Sequence, residues 1–379
     1  MTAHMKWLAI SLVFASTIAP SVGTAQTARP ATDTQTISRG WAALAAGRSS
    51  EAVTIADTVL KRKPRSHAAF TLKIEALSAG AQPISALDAY ETWIPKAGGN
   101  VDDRGLLQPI AVGLLRALSL DPDAAVRSSA LRFLADIGDD SAIEALRKAS
   151  AAGDQRAMLA LAAQGDANAI ASLQTLVGSG NGRDMSTAIA ALNEHGGLSA
   201  ALVQTLAKDR VPMNRAAAAG ALAGSKDPAA AQLLDALSQD PDPLVHASVT
   251  LARAKTGDER ALADARAMLA SEVPDIRLSA AEALVSTLPG EAEQAVRPLL
   301  TNPDGLNRFR AAAIVGRSDP AAVLPVLMEG LAHQNPLIQQ ETARIVGVVL
   351  PDNVVLLRQL LRHADPNIVV QAAGALIAN

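Results

Sequence analysis

The chain has 379 residues, 49% of them hydrophobic but only 2% aromatic, and this Ala-, Leu-, Val- and Ile-based mix favours closely packed helices over a β-sandwich. Its 34 basic and 37 acidic residues nearly balance, which excludes a strong general attraction to nucleic acid or to an anionic membrane surface. The absence of cysteine further excludes disulfides, thiolate metal sites and a lipidated N-terminal Cys.

Residues 1–25 read as a secretory signal peptide. Lys6 supplies the positive charge, Trp7 to Ala19 an apolar stretch, Pro20 a break, and Gly23-Thr24-Ala25 the small residues of a cleavage site before Gln26. The apolar stretch is shorter than a membrane span requires. An exported product with no membrane insertion after signal cleavage is therefore expected, with the periplasm of a Gram-negative bacterium as its address. The lack of any Asn-X-Ser/Thr sequon gives no support to a glycosylated product. Residues 26–33 form a linker.

Residues 34–97 carry a 34-residue period. Ala52 recurs as Ala86, Val59 is followed by Trp93 and Leu60 by Ile94, and Pro64 closes the stretch GRSSEAVTIADTVLKRKP. This segment resembles two TPR-like helical hairpins. Trp41, Phe70, Tyr90 and Trp93 all lie here, and the run Lys61-Arg62-Lys63-Pro64-Arg65 closes a predicted helix where cations are favourable. Ala97-Gly98-Gly99-Asn100 marks a junction.

From residue 98 to the end a shorter period takes over. Pro212, Pro243 and Pro274 are 31 apart, Gly305 and Pro336 continue the step, and Pro366 follows after 30. Three residues beyond these stand Arg215, His246, Arg277, Arg308, Gln339 and Val369, followed by small residues such as Ala280-Ala281 and Ala311-Ala312. Weaker copies place Arg127 and Arg156 in the recurring position, and a degenerate one runs from Arg183 to Leu192, about nine units in all. Each unit predicts a helix-turn-helix. In one copy the first helix covers 229–237, Asp240-Pro241-Asp242-Pro243 turns the chain, and the second helix runs from Leu244 to Ala254 before Thr256-Gly257-Asp258 stops it. A single unit cannot bury its apolar stripe, so the units must stack.

The pattern Asp-Pro-x-x-Val-Arg-x-x-Ala-Ala-x-Ala-Leu resembles the short HEAT-like repeat. The resemblance implies an all-α, right-handed α-solenoid behind the TPR-like hairpins. It also implies a structural ladder at Arg127, Arg156, Arg215, His246, Arg277 and Arg308, with Asp123, Asp275 and Asp304 as partners of Arg127, Arg277 and Arg308. Gln339 and Val369 depart from it.

No catalytic constellation assembles. No histidine pair has metal-ligand spacing within a helix; His333 and His363, at equivalent turn positions, read as solvated turn residues rather than a metal site. The HEAT-like deoxyhypusine hydroxylases hold iron on repeated His-Glu dipeptides, whereas this chain has the single reversed pair Glu194-His195. The HEAT-like DNA glycosylases require a basic, aromatic-bearing face, and the intracellular address of the phycobilin lyases conflicts with a signal peptide. Gly178-Ser179-Gly180-Asn181-Gly182 lacks the Gly-Lys-Ser/Thr ending of a phosphate loop. No cofactor is expected. The reading is a non-catalytic scaffold that binds a protein partner through the concave surface; an assembly chaperone for an exported enzyme complex is the alternative, and a metal- or chromophore-dependent enzyme ranks below both. Val369, Val370, Leu376 and Ile377, with no unit beyond them, are expected to dock on a partner or on a second copy, making a homo-dimer.

Overall fold

The computed structural model describes residues 32–96, 103–179, 185–195, 198–223 and 228–378. The expected signal peptide, most of the linker, the junction at 97–100, Gly180 to Gly182 and Arg183 lie outside them. The described chain is all-helical. It opens with α1 (Asp33–Ala45), α2 (Ser49–Arg62), α3 (His67–Ala79) and α4 (Pro83–Trp93).

Nine helix pairs follow. They are α5 (Arg104–Leu118) with α6 (Ala124–Asp136), α7 (Asp140–Ala151) with α8 (Gln155–Ala163), and α9 (Ala167–Ser179) with α10 (Met185–Glu194). Next come α11 (Ala200–Leu206) with α12 (Pro212–Ala221), α13 (Pro228–Leu237) with α14 (Pro243–Lys255), and α15 (Glu259–Leu269) with α16 (Pro274–Leu284). The last three are α17 (Pro289–Val296) with α18 (Gly305–Val315), α19 (Pro320–Leu331) with α20 (Pro336–Val349), and α21 (Val354–Leu360) with α22 (Pro366–Ile377); a 3-10 turn, Arg297–Thr301, extends α17.

The turns inside the units explain the repeat. The side chains of Asp121, Asp209, Asp240, Ser271, Asn302, His333 and His363 each accept from the backbone N–H two residues on. The chain is thereby bent before the second helix begins. Two residues later, Asp123, Asp242, Asp304, Asn335 and Asp365 cap that helix by accepting from its first free N–H groups. Val211 and Val273 stand at the same cap position without a side-chain bond, and Pro212 and Pro274 follow at the start of their helices. Gly257, at φ 85°, ends α14 where the turn requires a left-handed residue.

Buried alanines, among them Ala218, Ala219, Ala280, Ala281, Ala311 and Ala312, let the second helices of successive units approach closely. These helices form an inner layer in which α6, α8, α10, α12, α14, α16, α18, α20 and α22 each touch the next. The layer then closes: α22 packs against both α5 and α6. The array is therefore a ring. One apolar core runs continuously from Phe70 to Leu376, so it does not break at the predicted boundary near residue 97. A small second cluster of Ala43, Ala52, Ala56, Leu72 and Ala76 holds α1 to α3 together.

Ring closure corrects the expectation of a free docking end. Val369, Val370 and Leu376 are buried within the chain itself, and Ile377 packs on the same core. The apolar face of the last unit does need a neighbour, but the first unit of the array supplies it. Arg104, at the start of α5, donates to the carbonyl oxygens of Ala375 at 2.6 Å, Leu376 at 3.1 Å and Pro351 at 3.1 Å. It thus satisfies carbonyls that the end of α22 would otherwise leave unpaired. Arg358 reaches Glu91, and Arg362 reaches Asp88 and Glu91, which ties α21 to α4. Phe133 of α6 lies directly over Gly374, where a Cβ would meet its ring at 2.4 Å.

Candidate binding surface

Each inner helix touches its own outer helix and two inner neighbours, leaving one face uncovered. Residues four and seven apart share a face of an α-helix, and exposure follows that rule. On α16 the open face carries Asp275, Ser279 and Glu282, and on α20 it carries Leu337, Glu341, Arg344 and Val348. Arg310 of α18 confirms that these positions form one wall. It bonds Glu282 at 2.8 and 2.9 Å, Asp275 at 3.2 Å and Ser279 at 3.4 Å, all on α16.

The wall is layered. At its edge, two residues before the ladder position, stand Met213, Leu244, Leu306 and Leu337, with exposures of 52%, 43%, 56% and 71%. The same position holds Ala125, Asp275 and Asn367 in other units. Val211, Val273 and Ile276 add exposed apolar groups beside this row. Deeper in the wall is a charged belt. Glu282 holds the Arg310 pKa up, against the effect of burial, and Glu341 does the same for Arg344. Burial lowers the pKa of Arg132 despite Asp136, and the positive charge of Arg344 adds to the lowering. Arg132 also lies 4.0 Å from the centroid of the Phe133 ring.

The ladder residues do not line this wall, and their partners differ from those expected. Arg127 donates to the carbonyls of Asp121 and Pro122, Arg215 to those of Asp209 and Arg210, and Arg308 to those of Asn302 and Pro303. Arg277 donates through Nε to the carbonyl of Ser271. The repeated arginine thus ties the second helix to the turn before it. Asp123 and Asp304 are spent on helix caps, while Asp275 pairs with Arg310 of the next unit.

Two arginines also reach the following unit. Arg215 makes a two-pronged pair with Asp240 at 2.6 and 2.9 Å, and Arg308 binds Glu329. Their hydrogen bond holds the Asp240 pKa below the ordinary carboxylate range and raises that of Arg215. Arg156 is exposed and makes no such bond. His246 opens instead onto a polar groove with Arg253, Asp258, Arg260 and Asp264.

His333 and His363 perform one task in consecutive units. Each ring accepts a backbone N–H at Nδ1, at 3.0 Å, where other units use Asp, Asn or Ser. Among the described residues no three His, Cys, Asp or Glu side chains stand together as a metal site, and no helix is long and apolar enough to cross a membrane. What sequence reasoning missed was the wall itself. Its signal was Leu or Met recurring two residues before the ladder position, which a search centred on Pro and Arg passes over.

The family model of HEAT repeats matches residues 199–286, and that of the PBS lyase HEAT-like repeat matches residues 126–151. No curated protein sequence matches the chain. Among solved structures, human deoxyhypusine hydroxylase in complex with glycerol is similar over 72% of this chain and 96% of its own, at 21% identity and a TM-score of 0.31. An engineered protein is similar over 90% of both chains, at 21% identity and a TM-score of 0.25. With the family models on residues 126–151 and 199–286 and nine helix pairs stacked in register, the chain is a HEAT-like repeat protein built as an α-solenoid.

Proposed function

We propose that this protein is an exported, non-catalytic scaffold that binds another protein on the inner wall of its ring. The observation that carries the reading is the row of Met213, Leu244, Leu306 and Leu337. These large apolar side chains are left in solvent at one register position, while others farther along α14, α18 and α20, such as Val249, Phe309 and Ile345, are buried. Single exposed apolar residues are ordinary, but one register position left apolar and exposed in two adjacent pairs of units, on either side of Asp275, marks an interaction surface. The row borders the belt of Arg310, Glu282, Glu341 and Arg344, which supplies polar partners around an apolar strip, as protein interfaces do. Export rests on the sequence of residues 1–25, and the scaffold role on the absence of any convergent nucleophile, base and orienting group in the sequence.

The test is an affinity pull-down of the tagged protein after mild crosslinking, read by mass spectrometry, with the Leu306→Glu, Leu337→Glu double variant alongside. A dominant exported partner, crosslinked to the inner helices and lost in the variant, supports the scaffold. Capture of only immature clients, released on maturation, turns the reading to a chaperone. Partner binding that survives the double variant removes the inner wall from the proposal.

A further inference from the structure

A second surface lies in the first four helices, away from the inner wall. Helices α2 and α4 form the sides of a groove of about 620 Å³, and α3 forms its floor. Val53, Leu60, Phe70, Leu77 and Ala89 give it an apolar bed. The lining of α4 runs from Gln82 to Thr92, with Lys96 just beyond, a length of about 20 Å at the helical rise. That suits a stretch of polypeptide better than a compact small molecule.

The charges on the rim are unevenly satisfied. Asp57 is paired with Lys73 at 2.8 Å, and Asp88 is taken by Arg362 from the closing seam of the ring. In the basic run that ends α2, Asp33 binds Arg62 and Lys63, both at 2.9 Å. Lys61 is left facing the groove, with no carboxylate in ion-pair reach among the described residues. Lys96 lies over the ring of Phe70, 5.6 Å from its centroid, likewise without a carboxylate. Both carboxylates of the groove are thus neutralised, while two cations at the rim stand over an apolar bed.

We infer that this groove is a docking site for an acidic segment of another polypeptide, which places apolar side chains on Phe70 and Leu60 and carboxylates against Lys61 and Lys96. Charge complementarity of this kind sets register and partner choice while the apolar contact supplies affinity. The inference stands independently of the inner-wall reading, because the two surfaces share no residue.

The test pans a displayed library of random peptides, about 12 residues long, against the full chain and against a chain beginning at Gln26. The enriched peptides are then measured by fluorescence anisotropy. Expected is enrichment of peptides carrying acidic and apolar residues, whose binding weakens with salt. In the Lys61→Glu, Lys96→Glu double variant it should weaken about tenfold or more, with circular dichroism and Tm unchanged. Both lysines sit at the rim, so the fold is not at risk. No enrichment, enrichment of peptides without acidic residues, or binding indifferent to the double variant would overturn the inference. Binding by the Gln26 chain but not by the full chain would assign the groove to the protein's own N-terminal segment, and would overturn it equally.

Discussion

The closing seam and the ordinary joints between units bury similar apolar helix faces by different means. At an ordinary joint, such as α16 against α18, the neighbour is delivered by the very next unit of the chain, with only α17 and its 3-10 turn between. Small buried alanines pack there, and side-chain pairs add to them: Arg310 of α18 binds Glu282 and Asp275 of α16. At the seam, α22 meets α5 and α6 from some 250 residues earlier in sequence, and there the chain adds Arg104, Arg358, Arg362 and the Phe133–Gly374 contact. The difference lies in the acceptors: joints within the array are tied by side-chain ion pairs, whereas the seam adds an arginine bonded to the backbone carbonyls at the end of α22. That contact must be found across a long loop, whose closure entropy it has to offset.

The largest effect should come from breaking the seam outright. Arg104→Ala combined with Gly374→Val leaves the α22 carbonyls unpaired and drives a side chain into Phe133. The seam should lose roughly 3–5 kcal/mol in total. Hydrogen exchange should rise in α22 and α5 while α14 to α18 keep their protection, and the radius of gyration should grow in small-angle scattering. Uniform loss of protection around the whole ring would show instead that seam and joints form one cooperative unit.

A smaller effect separates ladder arginines that are bonded from one that is not. Arg308→Ala removes the bonds to two turn carbonyls and to Glu329, and should cost about 2 kcal/mol in chemical denaturation. Arg156→Ala should stay within about 0.5 kcal/mol. Equal costs would mean that the carbonyl bonds contribute nothing.

Acid should act on the two kinds of contact differently. Arginine hydrogen bonds hold Asp240 and Asp319 below the usual carboxylate range, and a backbone N–H with Arg147 does the same for Asp166. A carboxyl group with a lowered folded pKa stabilises fully above its unfolded value, about 4, and loses that contribution as pH falls through the folded value. The pairs between units should therefore fail on acidification below pH 4. The Arg104 bonds to the carbonyls of Ala375, Leu376 and Pro351 involve no carboxylate. Exchange measured down the pH scale should show the joints loosening before the end of α22, and Asp240→Asn should flatten the acid limb.

The smallest effect concerns Glu75 on α3, whose pKa burial raises. Here the sign is reversed: the charged form is the costly one in the folded state at neutral pH, so Glu75→Gln should raise Tm by about 1–2 °C. The gain should vanish in acid, where both states are protonated.

The sequence by itself determined the elements and their order. Helix boundaries are local matters of caps, prolines and apolar period, so α14, expected from Leu244 to Ala254, runs Pro243–Lys255 and stops at Thr256-Gly257, and about nine units were countable from the register of Pro and Arg. Tertiary structure alone decided that the array closes. Whether the apolar residues of α22 meet solvent, a partner or the chain's own α5 and α6 depends on the small rotation between units summed around nine of them, and no local pattern encodes that sum. The same holds for the ladder. The resemblance implied Asp123 as the partner of Arg127, but Asp123 was already committed to two backbone N–H groups. The nearest unsatisfied acceptors were the carbonyls of the turn, which every residue carries and which a sequence therefore never advertises.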